Sequence, residues 1–386
     1  MSHTNRINRR GFLKRAGVGA VGLGLAPGTS GRAAGADGPV ERRKLGRTGI
    51  EIGVVSFGSY GFDNPGILEM ALDAGMNLID TGYDYQQGRA ESAVGRVMKA
   101  RREDAVLLTK WIVKPEKKAK DYLNELDGSL KRLQTDHVEF IQNYDVGNVE
   151  AVKNEAFFEA AQQAKTMGKV RHTGISCHGG PLENVMSRAV ADGRYDMLMF
   201  KYNFTDYPSS EATIKQAREK NLGLVAIKVG GSARNTEMRQ LLEQGLDKRQ
   251  ATIRWALQNP AVAAVCCDFS NFDDIKTYRK AVASAYGEKD RLALQVYSDN
   301  LANQDCRLCG TCRPVCPQGV RIDDVMRYRM YYRDYGREQY AMWRYSELPS
   351  ESRPLNCAEC GAPCVDACPN GVAVREDMMD ASALLT

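Results

Sequence analysis

MNLIDTGYDYQQGRAESAVG, residues 76–95, is the stretch that decides the fold. Its apolar start predicts a short buried strand that ends in Asp80, followed by a loop with Tyr85 and a helix that begins near Arg89. Downstream, AVLLTK predicts another buried strand, which ends in Lys110. Strand ends on one face of an alternating α/β barrel hold its active site, so we expect these three polar side chains to meet.

Asp80, Tyr85 and Lys110 are residue types suited to proton transfer. A free tyrosine has a pKa of about 10, and a lysine held against the phenol oxygen lowers that pKa by favouring phenolate. A carboxylate paired with the lysine keeps it in place and charged. Tyr85 is then expected to give a proton to a carbonyl oxygen while a hydride reaches the carbon. A chance grouping is the alternative, because strand-end Asp and Lys are common surface residues.

The order Asp, Tyr, Lys at successive strand ends resembles the aldo/keto reductase family. GRAESAVG, residues 88–95, is similar to the G-x-S-E-x-x-x-G helix start of that family, and the segment from Lys44 resembles its opening hairpin. The resemblance covers roughly residues 42 to 285. It implies a small-molecule substrate and carbonyl or alcohol redox chemistry with a nicotinamide cofactor.

Strand and helix patterns alternate along this region. The predicted helices include 119–133, 155–167, 181–192 and 211–220. Eight strands separated by helices over about 250 residues predict an α/β fold, a (β/α)8 TIM barrel. The predicted strands are Val54–Gly58, Asn77–Thr81, Val106–Lys110, Val138–Asn143, His172–Ser176, Met197–Tyr202, Leu224–Lys228 and Ala263–Cys267.

A phosphate site is expected after the seventh and eighth strands, where barrels commonly bind phosphate beside a helix N-terminus. Aldo/keto reductases that grip the extra phosphate of NADP use basic residues near the start of the last helix. This chain has Asp273 and Asp274 there, which favours NAD over NADP, although acids at a helix start also serve as dipole partners. The candidate cofactor residues are Gly230, Gly231, Ser232, Arg234, Ser270 and Asn271.

The barrel sequence departs from the family at two aligned positions. Tyr144 stands where the family has a catalytic histidine, and a tyrosine can donate a hydrogen bond but cannot carry the imidazolium charge. Met199 stands where the family has a glutamine that contacts the nicotinamide. Ser176 matches a residue that contacts the nicotinamide amide, and nearby His178 either supplies an imidazole or is a packing or surface residue.

Eight of the eleven cysteines fall in two C-terminal runs that each end in Cys-Pro. The first run has the bacterial ferredoxin spacing, in which three cysteines bind one 4Fe-4S cluster and the fourth binds the other. The second run has one extra residue between its second and third cysteines. The runs are Cys306, Cys309, Cys312 and Cys316, then Cys357, Cys360, Cys364 and Cys368. Cys266 and Cys267 lie on an apolar strand and are interpreted as packing residues.

The ferredoxin resemblance implies two 4Fe-4S clusters. One is held by Cys306, Cys309, Cys312 and Cys368, and the other by Cys357, Cys360, Cys364 and Cys316. A zinc ribbon would use two separated cysteine pairs, and disulfides are a further alternative in an exported protein. Some aldo/keto reductase relatives carry such a tail. The Arg- and Tyr-rich insert between the runs, residues 325–347, is interpreted as helix that docks the clusters on the barrel rather than as a partner site.

The N-terminus resembles a twin-arginine (Tat) export signal. Arg9 and Arg10 precede Phe12 and a Gly/Ala-rich run, and residues 34–36 offer a small-residue cleavage site. This leader has six basic residues and no acid, so it accounts for the whole formal charge of +5 and gives nucleic-acid binding no support. A disordered basic tail is the alternative. We expect a protein that the Tat machinery exports to the periplasm or extracellular face, with no membrane span after the leader.

The predicted organisation is a leader over residues 1–36, a barrel over 42–298 and a ferredoxin-like iron–sulfur domain over 299–386. Two hypotheses about function remain open. The first is an exported oxidoreductase with a nicotinamide cofactor and two clusters. The second is an electron-transfer or binding protein, with an electron-transfer partner, whose barrel has lost reductase chemistry. Asp80, Tyr85 and Lys110 favour the first hypothesis, and Tyr144 and Met199 favour the second.

Overall fold

A computed structural model describes residues 38–180, 182–205, 210–230, 241–243, 245–300 and 305–386. The predicted leader and three of the predicted cofactor residues, Gly231, Ser232 and Arg234, lie outside these ranges. Within them, no helix is long and apolar enough to cross a bilayer.

An antiparallel hairpin precedes the barrel, as the resemblance implied. It pairs β1, Arg42–Lys44, with β2, Glu51–Gly53. Eight parallel strands then form a closed barrel in the order β10-β3-β4-β5-β6-β7-β8-β9. They are β3 (Val55–Gly58), β4 (Leu78–Asp80), β5 (Val106–Trp111), β6 (Val138–Asn143), β7 (Val170–Cys177), β8 (Met197–Lys201), β9 (Gly223–Ile227) and β10 (Ala264–Asp268). All eight predicted barrel strands are confirmed to within a few residues at each end.

Helices alternate with the strands and cover the outside of the barrel. A side chain on Gly95 would collide with the backbone at Arg132, so this glycine lets two of these helices pack closely. The helices are α1 (Pro65–Asp73), α2 (Arg89–Arg101), α3 (Ala119–Leu133), α4 (Glu155–Thr166), α5 (Leu182–Asp192), α6 (Glu211–Glu219), α7 (Lys248–Leu257), α8 (Phe272–Val282) and α9 (Glu288–Asn300). Apolar side chains fill the barrel interior and the layer between strands and helices.

The C-terminal region has its own apolar core, formed by residues between Leu308 and Leu385. Its helices are α10 (Ile322–Arg333), α11 (Glu338–Ser346), α12 (Pro363–Asp366) and α13 (Val374–Leu385). The insert between the cysteine runs forms α10 and α11, joined by a turn with Gly336 in the left-handed region at φ 61°. The predicted division at residue 298 stays a prediction.

The insert lies over the carboxyl ends of the barrel strands. Arg327 of α10 bonds to Asp145, which follows β6, and Arg337 bonds to Asp268 at the end of β10. The expectation that the insert docks on the barrel is confirmed. The same face of a barrel carries the active site, so the C-terminal domain covers the place where chemistry is expected.

Candidate active site

The structure brings Asp80, Tyr85 and Lys110 together at the ends of neighbouring strands. Lys110 Nζ lies 2.7 Å from Asp80 Oδ1 and also donates to the carbonyl oxygen of Thr81 at 2.7 Å. The Tyr85 hydroxyl donates to Asp80 Oδ2 at 3.1 Å. All three side chains are buried. Parallel pairing of β4 with β5 explains why residues 30 positions apart in sequence meet.

The position of Lys110 differs from the expected one. Its Nζ lies 4.0 Å from the centroid of the Tyr85 ring, and the phenol oxygen is instead bonded to Asp80. Burial raises the pKa of Tyr85 well above its ordinary value, and the negative charges of Asp80 and Asp84 add to this rise. The expectation that Tyr85 has a lowered pKa is therefore wrong for this structure, because burial and the nearby carboxylates outweigh the charge of Lys110. The resting side chain is the neutral phenol, which carries its proton.

Tyr144 lies beside Tyr85, with ring centroids 6.3 Å apart. Its hydroxyl is 3.4 Å from the hydroxyl of Tyr340, a residue of α11 in the C-terminal domain. Tyr340 also stacks edge-on with Tyr60, with ring centroids 4.6 Å apart. Burial raises the pKa of Tyr144 well above its ordinary value, and Tyr340 and Asp84 add to this rise. The position aligned with the family's histidine therefore holds a neutral phenol that contacts the second domain.

Asp84 is a buried carboxyl group at this site that the sequence analysis missed. Tyr340 donates to its Oδ2 at 3.4 Å, and Arg344 Nη1 lies 3.9 Å from the same oxygen. Burial raises the pKa of Asp84 to about 6, although Lys110 and Arg344 act in the opposite direction. Asp84 thus titrates near neutral pH between the barrel residues and the C-terminal domain. Its place in the same loop as Tyr85 was the only sequence signal.

His178 lines the cavity next to Tyr144, with ring centroids 5.4 Å apart. It is 8% exposed, and its Nδ1 atom has no hydrogen-bond partner among the described residues. Burial lowers the pKa of His178 well below its ordinary value, so the ring is neutral. The prediction that His178 supplies an imidazole to the site agrees with this position, and the surface alternative does not.

These residues surround a cavity of about 300 Å³ at the mouth of the barrel. The cavity has a floor from the strand ends and a roof from the C-terminal domain. Met199, Ile227, Cys266 and Cys267 line the barrel side, so the two cysteines face the cavity as well as filling space. The roof residues are Tyr331, Tyr335, Arg337 and Tyr340. None of the four was a predicted site residue, although the insert that carries them stood out by its Arg and Tyr content.

The predicted cofactor residues fall into two groups. Gly230 lines the cavity, and no described atom lies within 4 Å of where a side chain on it would begin. Ser176 is fully buried, and its hydroxyl accepts a bond from Asp145 N at 3.0 Å. Ser176 therefore fixes the end of a strand, whereas Gly230 leaves room for a ligand to approach its backbone.

Ser270 and Asn271 are occupied by local contacts. Both backbone amides donate to Asp274 Oδ2, at 2.8 and 3.1 Å, and the Asn271 side chain caps the first amides of α8. Asp274 in turn pairs with Arg249 at 2.6 Å. The backbone amides of Ser270 and Asn271 are therefore not available to a phosphate, because a capping box already satisfies them. Asn271 followed three residues later by an acid was the sequence signal for this arrangement.

The second cysteine run lines a small cavity in the C-terminal domain. Cys316, Cys357, Cys360 and Cys364 face it together, which is the set of four that the ferredoxin resemblance implied. All eleven cysteines are free thiols, which argues against the disulfide alternative. Among the described residues, no three or more His, Cys, Asp or Glu side chains are arranged around a single metal ion. Four thiol donors that line one cavity suit a 4Fe-4S cluster.

The first cysteine run lies against the barrel. Lys201, the buried residue that ends β8, donates to the carbonyl oxygens of Arg307 at 2.7 Å and Leu308 at 3.2 Å. Gly180 N donates to Leu308 O at 3.2 Å. Leu308 N donates to Cys306 Sγ at 3.3 Å, and Val372 N donates to Cys368 Sγ at 3.4 Å. The assignment of Cys368 to the first cluster stays a prediction.

Comparisons with known proteins agree with this architecture. Residues 63–243 match the model of the aldo/keto reductase family, and residues 305–373 match that of the 4Fe-4S dicluster domain. An uncharacterized oxidoreductase of Bacillus subtilis (strain 168), YrpG, is 26% identical over 63% of this chain and 91% of its own length. L-galactose dehydrogenase of Arabidopsis thaliana is 28% identical over 53% of this chain and 68% of its own length.

A solved structure shares the barrel fold. The aldo-keto reductase AKR11C1 from Bacillus halodurans, in its holo form, superposes with a TM-score of 0.56 at 23% identity, over 67% of this chain and 96% of that one. The fold and the family matches define the class of protein: an oxidoreductase built on a (β/α)8 barrel. Within that class, the chain carries an aldo/keto reductase domain followed by a C-terminal 4Fe-4S dicluster domain.

Proposed function

We propose that this protein is an exported oxidoreductase that interconverts a carbonyl group and an alcohol, with a nicotinamide dinucleotide as the hydride carrier. The observation that carries the proposal is the buried group of Asp80, Tyr85 and Lys110 in the cavity wall, with an ion pair of 2.7 Å and a hydrogen bond of 3.1 Å. These are the residue types needed to move one proton to or from a substrate oxygen.

Tyr85 is the proton donor in this proposal. Its neutral phenol reaches the cavity with its proton in place, which suits the direction of carbonyl reduction. The positive charge of Lys110, 4.0 Å from the ring centroid, stabilises the phenolate that remains after the proton has left. Asp80 holds Lys110 in position. In reduction the carbonyl carbon gains a hydride and its oxygen gains the Tyr85 proton, and the phenolate then takes a proton from solvent.

The residues that line the cavity support a dinucleotide as the hydride carrier. They include Met199, Ile227 and Gly230 on the barrel side, together with Lys248 and Arg249. The nicotinamide would lie beside Tyr85, and Gly230 and Lys248 would hold phosphate. The cofactor, when bound, supplies the hydride. The exposed carboxylate of Asp273 at the start of α8 favours NAD over NADP, since it would repel an added phosphate.

The clusters and the export route complete the proposal. The two cysteine runs would hold two 4Fe-4S clusters that exchange single electrons with a donor or acceptor protein. The Tat route carries folded proteins with cofactors inserted, which agrees with a cluster-bearing C-terminal domain behind a twin-arginine leader. Anaerobic purification should yield about eight irons and eight sulfides per chain. Stoichiometric zinc without iron would contradict the cluster assignment.

A second candidate function rests on Tyr340, which lies against Tyr144 and Tyr60 at the cavity. Tyr340 belongs to the cluster domain, and it contacts Tyr144, the residue aligned with the family's histidine. This contact suggests a barrel that serves electron transfer. Tyr144→His separates the two. A drifted carbonyl reductase should gain turnover of simple aldehydes with NADH or NADPH, and a reductase adapted to another reaction should lose its native activity. A barrel that serves electron transfer should show neither change.

Tyr85→Phe tests the proposed function. The ring is kept, so packing should survive, and loss of a positioned general acid should lower turnover by about 10² to 10⁴. Tyr83→Phe is the matched control, because Tyr83 lies in the same loop and is 54% exposed. Turnover would be followed as NADH oxidation over a panel of aldehydes and ketones. Wild-type rates in Tyr85→Phe, or no quenching of protein fluorescence on NADH titration, would end the proposal.

A further inference from the structure

Lys228 is a cation that lines the cavity, and no carboxylate among the described residues pairs with it. It follows β9 with a left-handed φ of 56°, an uncommon backbone conformation for a lysine that is often found at functional sites. The side chain is half-buried and lines the cavity. Its Nζ donates to the hydroxyl of Tyr331 at 2.8 Å and lies 4.5 Å from the centroid of that ring.

Three other cations that line the cavity are paired with carboxylates. Lys110 pairs with Asp80 at 2.7 Å, and Arg249 and Arg337 pair with the carboxylates of Asp274 and Asp268 at 2.6 and 2.7 Å. Among the described residues, Lys228 contacts the Tyr331 hydroxyl and the faces of the Tyr331 and Tyr335 rings, and none of these groups is a carboxylate. A half-buried ammonium group beside a cavity is costly unless an anion compensates it. Lys228 therefore offers a positive charge to a ligand in the cavity.

His178 provides a second, independent sign of a ligand. Its Nδ1 is buried without a hydrogen-bond partner among the described residues, and buried polar atoms are normally paired. His178, Lys228 and Lys110 all line this one cavity. An anionic group in that region would accept a hydrogen bond from Lys228 and would also contact the imidazole of His178.

We propose that this cavity binds a carboxylate, carried by the substrate, between Lys228 of the barrel and Tyr331 of the cluster domain. The Lys228 ammonium group and the Tyr331 hydroxyl lie side by side, which suits the two oxygens of a carboxylate. The proposal rests on the proposed function: the substrates are oxo acids or hydroxy acids. The carbonyl carbon takes a hydride from the dihydronicotinamide, which is oxidised, its oxygen takes the Tyr85 proton, and the carboxylate is unchanged.

A phosphate of the dinucleotide is the other possible source of an anion. Gly230 and Lys248 lie along the same cavity and suit a phosphate, whereas Lys228 bonds to a roof tyrosine. Lys228 is therefore assigned to the substrate and not to the cofactor. The two assignments predict different losses when the charge of Lys228 is removed.

Binding of oxo acids to the intact, cluster-loaded protein tests the inference without any turnover. Each acid from pyruvate to 2-oxoadipate would be compared by calorimetry with its methyl ester. At least one acid should bind about 10- to 100-fold more tightly than its ester, as expected for a charge-assisted hydrogen bond. Lys228→Met should remove that difference and Lys228→Arg should keep most of it. Lys289→Met, at an exposed site on α9, is the control for loss of one charge.

Each result has a separate meaning. If no acid binds better than its ester, or Lys228→Met leaves the difference intact, the carboxylate site is wrong. If Lys228→Met weakens NADH binding and spares the acids, the charge serves the dinucleotide and the inference is overturned. If Tyr85→Phe keeps wild-type turnover while the acids still require Lys228, the proposed proton donor fails and the carboxylate site stands. Iron content and thermal midpoint of each variant show that it has folded.

Discussion

Arg327 of the iron–sulfur domain forms a two-bonded ion pair with Asp145 of the barrel, with N–O distances of 2.6 and 2.9 Å. Arg344 reaches the same carboxylate at 3.0 Å. Burial opposes the ionisation of Asp145, but the two guanidinium groups outweigh it and hold the pKa of this carboxyl well below its usual range. Because Asp145 directly follows Tyr144, the contact ties the domain interface to the floor of the cavity.

Arg327→Met should weaken this interface. Asp145 would keep only Arg344, and breaking a buried ion pair by removing one partner costs about 3–5 kcal/mol. We expect the low end of that range, seen as a lower thermal midpoint and faster proteolysis between the domains. Arg291→Met breaks the exposed pair with Glu288 on α9 and should lower the thermal midpoint far less, because water already solvates both charges. Equal midpoints for the two variants would show that the buried pair does not hold the domains.

Asp84→Asn should change how stability depends on pH. The pKa of Asp84 is raised from 3.8 to about 6, so its stabilising effect is complete below pH 4 and is lost as the pH rises through 6. Between pH 5 and pH 8 wild type should lose about 1.4 kcal/mol from this group, and the variant should not. Thermal midpoints of both proteins at the two pH values measure this. A difference in thermal midpoint between wild type and variant that is the same at both pH values would contradict the raised pKa of Asp84.

Lys201→Met should lower the midpoint potential of one cluster. Lys201 donates to two carbonyl oxygens of the first cysteine run, and loss of a nearby positive charge disfavours the more negative, reduced state. We expect a fall of about 30–60 mV in one of two EPR-monitored potentials, equivalent to roughly 0.7–1.4 kcal/mol.

Arg375→Met is the matched variant for the other cluster. Arg375 lines the cavity of the second cysteine run and donates to Ala358 O at 3.0 Å. Arg375→Met should shift the cluster midpoint potential that Lys201→Met leaves unchanged. If both variants shift the same signal, the two runs do not form the two separate sites assigned here.

Replacement of Arg9 and Arg10 by lysine should block export. The Tat machinery reads the arginine pair, so the variant should accumulate in the cytoplasm of a host in which wild type reaches the periplasm. Immunoblots of the separated fractions measure the ratio, with iron content as a control for cluster insertion. Unchanged periplasmic accumulation would remove the Tat assignment.

The sequence by itself determined the barrel and the polar group at its strand ends. Short apolar runs at regular spacing fixed the eight strands, because their burial depends on local pattern. Asp80, Tyr85 and Lys110 meet because adjacent parallel strands carry their ends to the same face. The cluster ligands could also be predicted from the two cysteine runs, since ligands for one cluster lie a few residues apart.

Only the tertiary structure decided what closes the cavity. Tyr340 contacts Asp84 across 256 positions and Arg327 contacts Asp145 across 182, and no local pattern records contacts so distant. Burial also decided the protonation of Tyr85, because desolvation by the packed roof and the bond to Asp80 outweigh the charge of Lys110. Local sequence thus determines which polar residues stand at the strand ends, whereas the packing of two domains determines their electrostatic surroundings.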